Sequence, residues 1–130
     1  MPILTTSLYA GLLAIVCMVL AGMVGTLRGK KQTISLGDGG DPDLLAAMRR
    51  HANFVEYVPL AIVLIALVEL NGGSKTLIHG LGAVLLAARI IHPFGIDAAD
   101  MRKMPRLIGA FASIGVILAA AVTLLWQYVR

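Results

Sequence analysis

The chain has 130 residues, of which 58% are hydrophobic and only 14% charged. Soluble domains carry about 25% charged residues, so the composition excludes an ordinary water-soluble domain and predicts a single all-α membrane bundle with room for about four spans of roughly 20 residues each. The net charge of +4 does not mark a nucleic-acid partner, because the basic residues sit at the ends of apolar runs, as membrane topology requires, and no DNA or RNA motif occurs.

The first apolar run covers residues 3–27. It has no basic leader and is too long for the core of a cleaved signal, so it is expected to remain as a helix. It holds Cys17, the one cysteine of the chain, which excludes an intrachain disulfide and reads as a small core or lipid-facing residue. Arg28-Gly29-Lys30-Lys31 stops the run, and Gly37-Asp38-Gly39-Gly40 breaks the chain. Asp41 before Pro42 reads as the N-cap and first residue of a second helix over 42–70, with Pro59 loosening it locally. Asn71-Gly72-Gly73 stops that helix. Ser74 caps a third, 74–92, which Pro93 and Gly95 end. A charged loop follows, and Pro105 opens a fourth helix over 105–128, with Trp126 and Tyr128 as an interfacial belt. Nine lysines and arginines fall on loops one and three with their flanks, and two on the other side. The positive-inside rule then predicts both termini outside and those two loops in the cytoplasm.

Two of these spans carry charge. Helix two contains Arg49-Arg50-His51-Ala52-Asn53-Phe54-Val55-Glu56-Tyr57-Val58-Pro59, running into the apolar stretch 60–68, and helix three contains Arg89. An unpaired ion in hydrocarbon costs at least about 2.5–3.5 kcal/mol, so such residues must face the bundle interior, pair, or line a site. At 100° per residue, Arg49, Asn53 and Glu56 fall within about 60° of one another on the helix, over roughly 10 Å of rise. Tyr57 flanks the stripe. A purely structural reading has Arg49 snorkelling, Asn53 bonding a neighbouring helix and Glu56 pairing with Arg89. A functional reading notes that Arg89, His92 and Arg106 bring further basic groups to the same membrane layer, which suits a polyanionic ligand.

Arg49-x-x-x-Asn53-x-x-Glu56-Tyr57-x-Pro59 resembles the helix-two signature of the MAPEG proteins (membrane-associated proteins in eicosanoid and glutathione metabolism). The Ala88-Arg89 pair, Arg106-x-x-Gly109 and four spans in this length also fit, and the Gly-Asp-Gly-Gly loop is similar to that of the small bacterial YecN-like branch. The resemblance covers essentially the whole chain. It implies a homotrimer in the bacterial inner membrane, with glutathione between protomers near the cytoplasmic face. Arg49, Asn53, Glu56 and Tyr57 would contact the tripeptide, Arg89 and His92 would lie beside it, and Arg106 would hold the thiolate, with Arg102 and Lys103 as rivals. Ile96 stands where some members carry a ligand-contacting tyrosine.

The implied chemistry is sound on its own terms. A thiol with a pKa near 8.5 is mostly protonated at neutral pH, and a guanidinium beside the sulfur favours the thiolate. The reading that follows is a glutathione-using transferase or peroxidase acting on lipophilic small molecules. The alternatives are a non-catalytic lipid- or glutathione-binding protein of the same fold and a small proton-coupled exporter. Other polar residues take plain readings: His79 as a hydrogen-bonder within the bundle, His51 off the stripe and facing the cytoplasm, Glu69 hydrated near the outer interface, Asp97 and Asp100 solvated. No His, Cys or acidic pair has metal-site spacing.

Overall fold

The computed structural model describes residues 3–31, 36–96 and 103–129. It contains four helices, α1 (Leu4–Lys31), α2 (Pro42–Leu70), α3 (Lys75–Ile91) and α4 (Met104–Val129), and a 3₁₀ turn, His92–Gly95, that continues from α3. All four helices, α3 taken with its 3₁₀ turn, are long and apolar enough to cross a membrane. Asp97, Asp100 and Arg102 lie outside the described residues.

Local chemistry explains the boundaries. The Asp41 carboxylate accepts from the Leu44 N–H at 2.9 Å, and Pro42 fills the first turn, where its missing N–H costs nothing. At the other end of α2, Gly72 takes a φ of +81°, and the Gly73 N–H reaches the Val68 carbonyl at 2.9 Å. Ser74 Oγ accepts from the Leu77 N–H at 3.3 Å to start α3. Two elements differ from expectation. The helix of α1 runs on through Lys31, because Arg28, Lys30 and Lys31 set a membrane boundary yet are good helix formers. And α2 remains helical on both sides of Pro59, which removes a single backbone donor.

In cross-section α1 packs on α2 and α3, and α4 packs on the same two helices from the other side. Leu13 and Leu20 of α1, Phe54, Val58 and Ile65 of α2, Leu85 of α3 and Val116 of α4 meet in the core. Large apolar side chains also cover the outside, among them Ile15, Met18, Leu118 and Val122, which lipid tails tolerate and water does not. Helices α1 and α3 approach closely at Gly82, where any Cβ would run into the Tyr9 ring. The Tyr9 hydroxyl meets His79 Nδ1 at 3.1 Å, so His79 is a hydrogen-bonder of the bundle as expected.

Glu69 and His51 correct the sequence reading. Instead of meeting only water, the Glu69 carboxylate accepts from the Thr5 N–H at 3.0 Å, the Thr6 N–H at 2.8 Å and the Thr6 hydroxyl. It caps α1 from 64 residues away, satisfying orphan donors at the positive end of the helix dipole. Replacing Glu69 by Ala should cost about 0.5–2 kcal/mol, the range of a lost N-cap. Thermal unfolding in detergent checks this, and Glu69→Asp should fail to rescue because the shorter arm falls short of both amides. His51 turns toward α1, its Nε2 standing 3.9 Å from the half-buried Cys17 thiol.

Candidate functional site

The polar residues of α2 divide between two partners. Arg49 and Glu56, two turns apart and both about half exposed, approach each other at 3.7 Å. Asn53 lies between them in sequence but turns inward, and its Oδ1 accepts from Arg89 Nη1 at 3.0 Å. The expected Glu56–Arg89 pair is therefore absent. Arg89 is only 2% exposed and is held by neutral groups: Nε donates to Ser113 Oγ at 2.8 Å, Nη2 donates to Ser113 Oγ and to the Gly109 carbonyl, and the guanidinium carbon stands 5.5 Å from the centre of the Tyr57 ring. Ser113 Oγ in turn donates to the Gly109 carbonyl at 2.7 Å. The physical reason is depth. Glu56 lies on the outer face of the bundle with Arg49 near enough to answer its charge, whereas Arg89 points into the bundle, where α4 offers a hydroxyl and a carbonyl.

Helices α3 and α4 can meet there because two glycines leave room. A Cβ on Gly109 would stand 2.6 Å from the His92 Cβ and 2.8 Å from the Ala88 carbonyl. A Cβ on Gly95 would run into the backbone of Arg106. Without side chains at these points, the end of α3 lies against the start of α4, and His92 and Arg106 face the polar part of α2.

The result is a polar pocket of about 140 Å³ lined by Leu45, Ala46, Arg49, Asn53, His92, Ile96 and Arg106. Four of the residues singled out from the sequence, Arg49, Asn53, His92 and Arg106, thus share one cavity. Glu56, Tyr57 and Arg89 do not line it: Glu56 touches its wall at Arg49, Arg89 touches it at Asn53, and Tyr57 stands against Arg89. Of the helix-four candidates, Arg106 lines the pocket and Lys103 does not. Ile96 closes one side and gives the pocket an apolar patch. Among the described residues Arg106 has no carboxylate within ion-pair distance. A basic pocket with two guanidiniums, an amide and an imidazole is equipped to hold carboxylates and to favour the ionised form of an acidic group placed inside it.

Sequence reasoning missed Ser113, which anchors Arg89, and Arg50, whose Nη2 donates to the Ile96 carbonyl at 2.8 Å. The signal available for Ser113 was its spacing from Gly109: a glycine and a serine four apart share one face of a helix and mark a close, hydrogen-bonding helix contact.

Fold and pocket together define a small membrane protein of four spanning-length helices with a basic polar site at the end that carries the α1–α2 and α3–α4 connections. A family model for the MAPEG family matches residues 6–126, and the chain belongs to that family. It is similar to the inner membrane protein YecN of Escherichia coli strain K12, with 41% identity over 92 residues, covering 71% of this chain and 70% of that protein. The similarity to the inner membrane protein YecN of Escherichia coli O6:H1 strain CFT073 is of the same extent, 41% over 92 residues.

Proposed function

We propose that the polar pocket binds glutathione and that the protein is a membrane glutathione transferase or peroxidase for lipophilic small molecules. The observation that supports this reading is the convergence of Arg49, Asn53, His92 and Arg106 on one pocket. In this account Arg49 and Asn53 hold the tripeptide's carboxylate and amide groups, Glu56 takes its ammonium group beside Arg49, and Tyr57 backs the site through its contact with Arg89. Arg106 stands at the sulfur and keeps it as thiolate. Arg89 is a positioning residue, fixing Asn53. The thiolate attacks an electrophilic carbon, forming the C–S bond as the electrophile takes the electron pair or expels a leaving group. Apolar helix faces around the site bring such electrophiles from the bilayer.

The pocket of one chain, about 140 Å³, is small beside the 300–1,000 Å³ of usual ligand sites. In our reading the remaining wall comes from a second copy in a homotrimer, with glutathione between protomers. Isothermal titration of the detergent-purified protein tests binding: glutathione should bind saturably, and Arg49→Leu should weaken it at least tenfold, one lost charge-assisted contact being worth roughly 1.5–3 kcal/mol. Absence of heat with the intact protein would refute the reading.

We place the pocket at the cytoplasmic face with both termini outside, because nine basic residues fall on that side and two on the other. Reporter fusions at Gly39 and after Arg130 should report opposite compartments, the first cytoplasmic. Both on one side would contradict four spans.

A further inference from the structure

Asn53 lines the polar pocket with an amide, a group that carries an acceptor oxygen at one end and a donor amino group at the other. Which end the pocket meets is decided behind it. Arg89 stands there, only 2% exposed, and a guanidinium has five donors and no acceptor. Of the two amide ends, the oxygen alone can meet it, and Oδ1 accepts from Arg89 Nη1 at 3.0 Å. The amino end is thereby left for the pocket, beside the guanidiniums of Arg49 and Arg106.

That orientation holds only while Arg89 is itself held. Ser113 of α4, wholly buried, does this. Its Oγ accepts from Arg89 Nε at 2.8 Å and from Nη2, and donates its own proton to the Gly109 carbonyl at 2.7 Å. The same carbonyl accepts from Nη2 at 3.3 Å. The guanidinium is thus clamped along its Nε–Nη2 edge, which leaves Nη1 aimed at α2. Every one of these partners is neutral, and among the described residues no carboxylate lies within ion-pair distance of Arg89. A buried cation without a counter-charge is unfavourable. Hydrogen bonds in a chain polarise one another, so the charge of Arg89 strengthens the Asn53 amino group as a donor. An anion bound there sits one hydrogen bond beyond the cation and partly answers its charge.

We propose that Ser113 and Arg89 are positioning residues that lock the Asn53 amide with its amino end toward the pocket, so that this position takes a ligand carboxylate and rejects a ligand ammonium or amide N–H. The inference rests on the reading of the pocket as a glutathione site, and it assigns to Asn53 one of the tripeptide's carboxylates.

The test is isothermal titration of the purified full-length protein in detergent, with melting temperatures measured on the same samples. Asn53→Asp gives Arg89 a counter-charge but turns an acceptor oxygen toward the pocket. It should raise the melting temperature and weaken glutathione at least tenfold, so that stability and binding move in opposite directions. The loss should shrink to threefold or less for one of two analogues, the glycine carboxamide of glutathione or 4-aminobutyryl-cysteinyl-glycine, each of which lacks one carboxylate. Ser113→Ala should weaken glutathione at least threefold. Glu69→Ala, which lowers stability from the other end of α2, should leave glutathione binding within twofold of the unaltered protein. Undiminished binding in Asn53→Asp, or a tenfold loss kept with both analogues, overturns the proposal. Unchanged binding in Ser113→Ala, or an equal loss in Glu69→Ala, makes Ser113 a purely structural anchor and overturns it too. Should Ser113→Ala fail to fold, Asn53→Asp and the analogues still decide. No glutathione binding by the unaltered protein overturns the glutathione reading and this inference with it, whereas binding blind to these variants overturns the inference alone.

Discussion

Replacing Arg106 by Leu should erase most of the thiolate absorbance of bound glutathione at neutral pH and slow conjugation of a model electrophile about 25-fold there, rising to about a hundredfold at lower pH. The size follows from ionisation alone. If the guanidinium lowers the thiol pKa by about two units, it supplies roughly 2.7 kcal/mol, and removing it leaves about one thiolate in a hundred of those formerly present when the pH lies below both values. Binding should survive, because in our account Arg49 and Asn53 hold the tripeptide from α2. Arg49→Leu should behave in the opposite way: more glutathione needed, but a normal thiolate signal at saturation. The contrast between the two variants separates a residue at the sulfur from one at a carboxylate. Should Arg106→Leu keep its thiolate while Lys103→Leu or Arg102→Leu loses it, the start of α4 supplies the cation from a neighbouring turn.

A second large effect should appear in stability, at Ser113. Removing its hydroxyl leaves Arg89 Nε without a partner in the bundle interior and takes one of two acceptors from Nη2. An unsatisfied buried donor costs about 1–3 kcal/mol, and more when it is charged. Ser113→Ala should therefore lower stability by that amount or somewhat beyond. In an Arg89→Met background the same substitution should be nearly silent, since no cation remains to be orphaned. The coupling energy in this cycle is expected at roughly 1–3 kcal/mol. Glu56→Gln combined with Arg89→Met should instead add to within about 0.5 kcal/mol, as expected for residues that share no partner. Unfolding titrations in mixed micelles measure all three quantities. A strong Glu56–Arg89 coupling with none at Ser113 would contradict the hydrogen bonding around Arg89.

Features set by near neighbours in the chain were legible from the sequence. Asp41 before Pro42, Ser74 three residues before Leu77, and the Asn71-Gly72 stop each encode their helix end in one or two side chains, and the structure uses all three. The inward position of Arg89 was legible too, because a cation in an apolar run has few other places to go. Its partner was not. Periodicity puts Asn53 and Glu56 on one stripe, but a difference of 60° on a helix decides whether a side chain reaches a buried neighbour or the surface, and the crossing of α2 over α3 decides which residue lies inside. Ser113 and the Glu69 cap failed for a related reason. Both join positions far apart in the chain, 24 and 64 residues, and only the packing of helices brings them together, α3 on α4 at Gly109 for Ser113 and α1 on α2 for Glu69. His51 was misplaced because its face of α2 is covered by α1, which no pattern within α2 reveals.

The account rests on the tripeptide lying in the pocket between α2, the 3₁₀ turn and the start of α4. A structure of the protein saturated with glutathione tests that most directly. The account predicts density for the tripeptide against Arg49 and Asn53, with its sulfur within hydrogen-bond reach of the Arg106 guanidinium and the open side closed by a second protomer. Glutathione bound elsewhere, or a pocket still empty at saturating concentration, would contradict it.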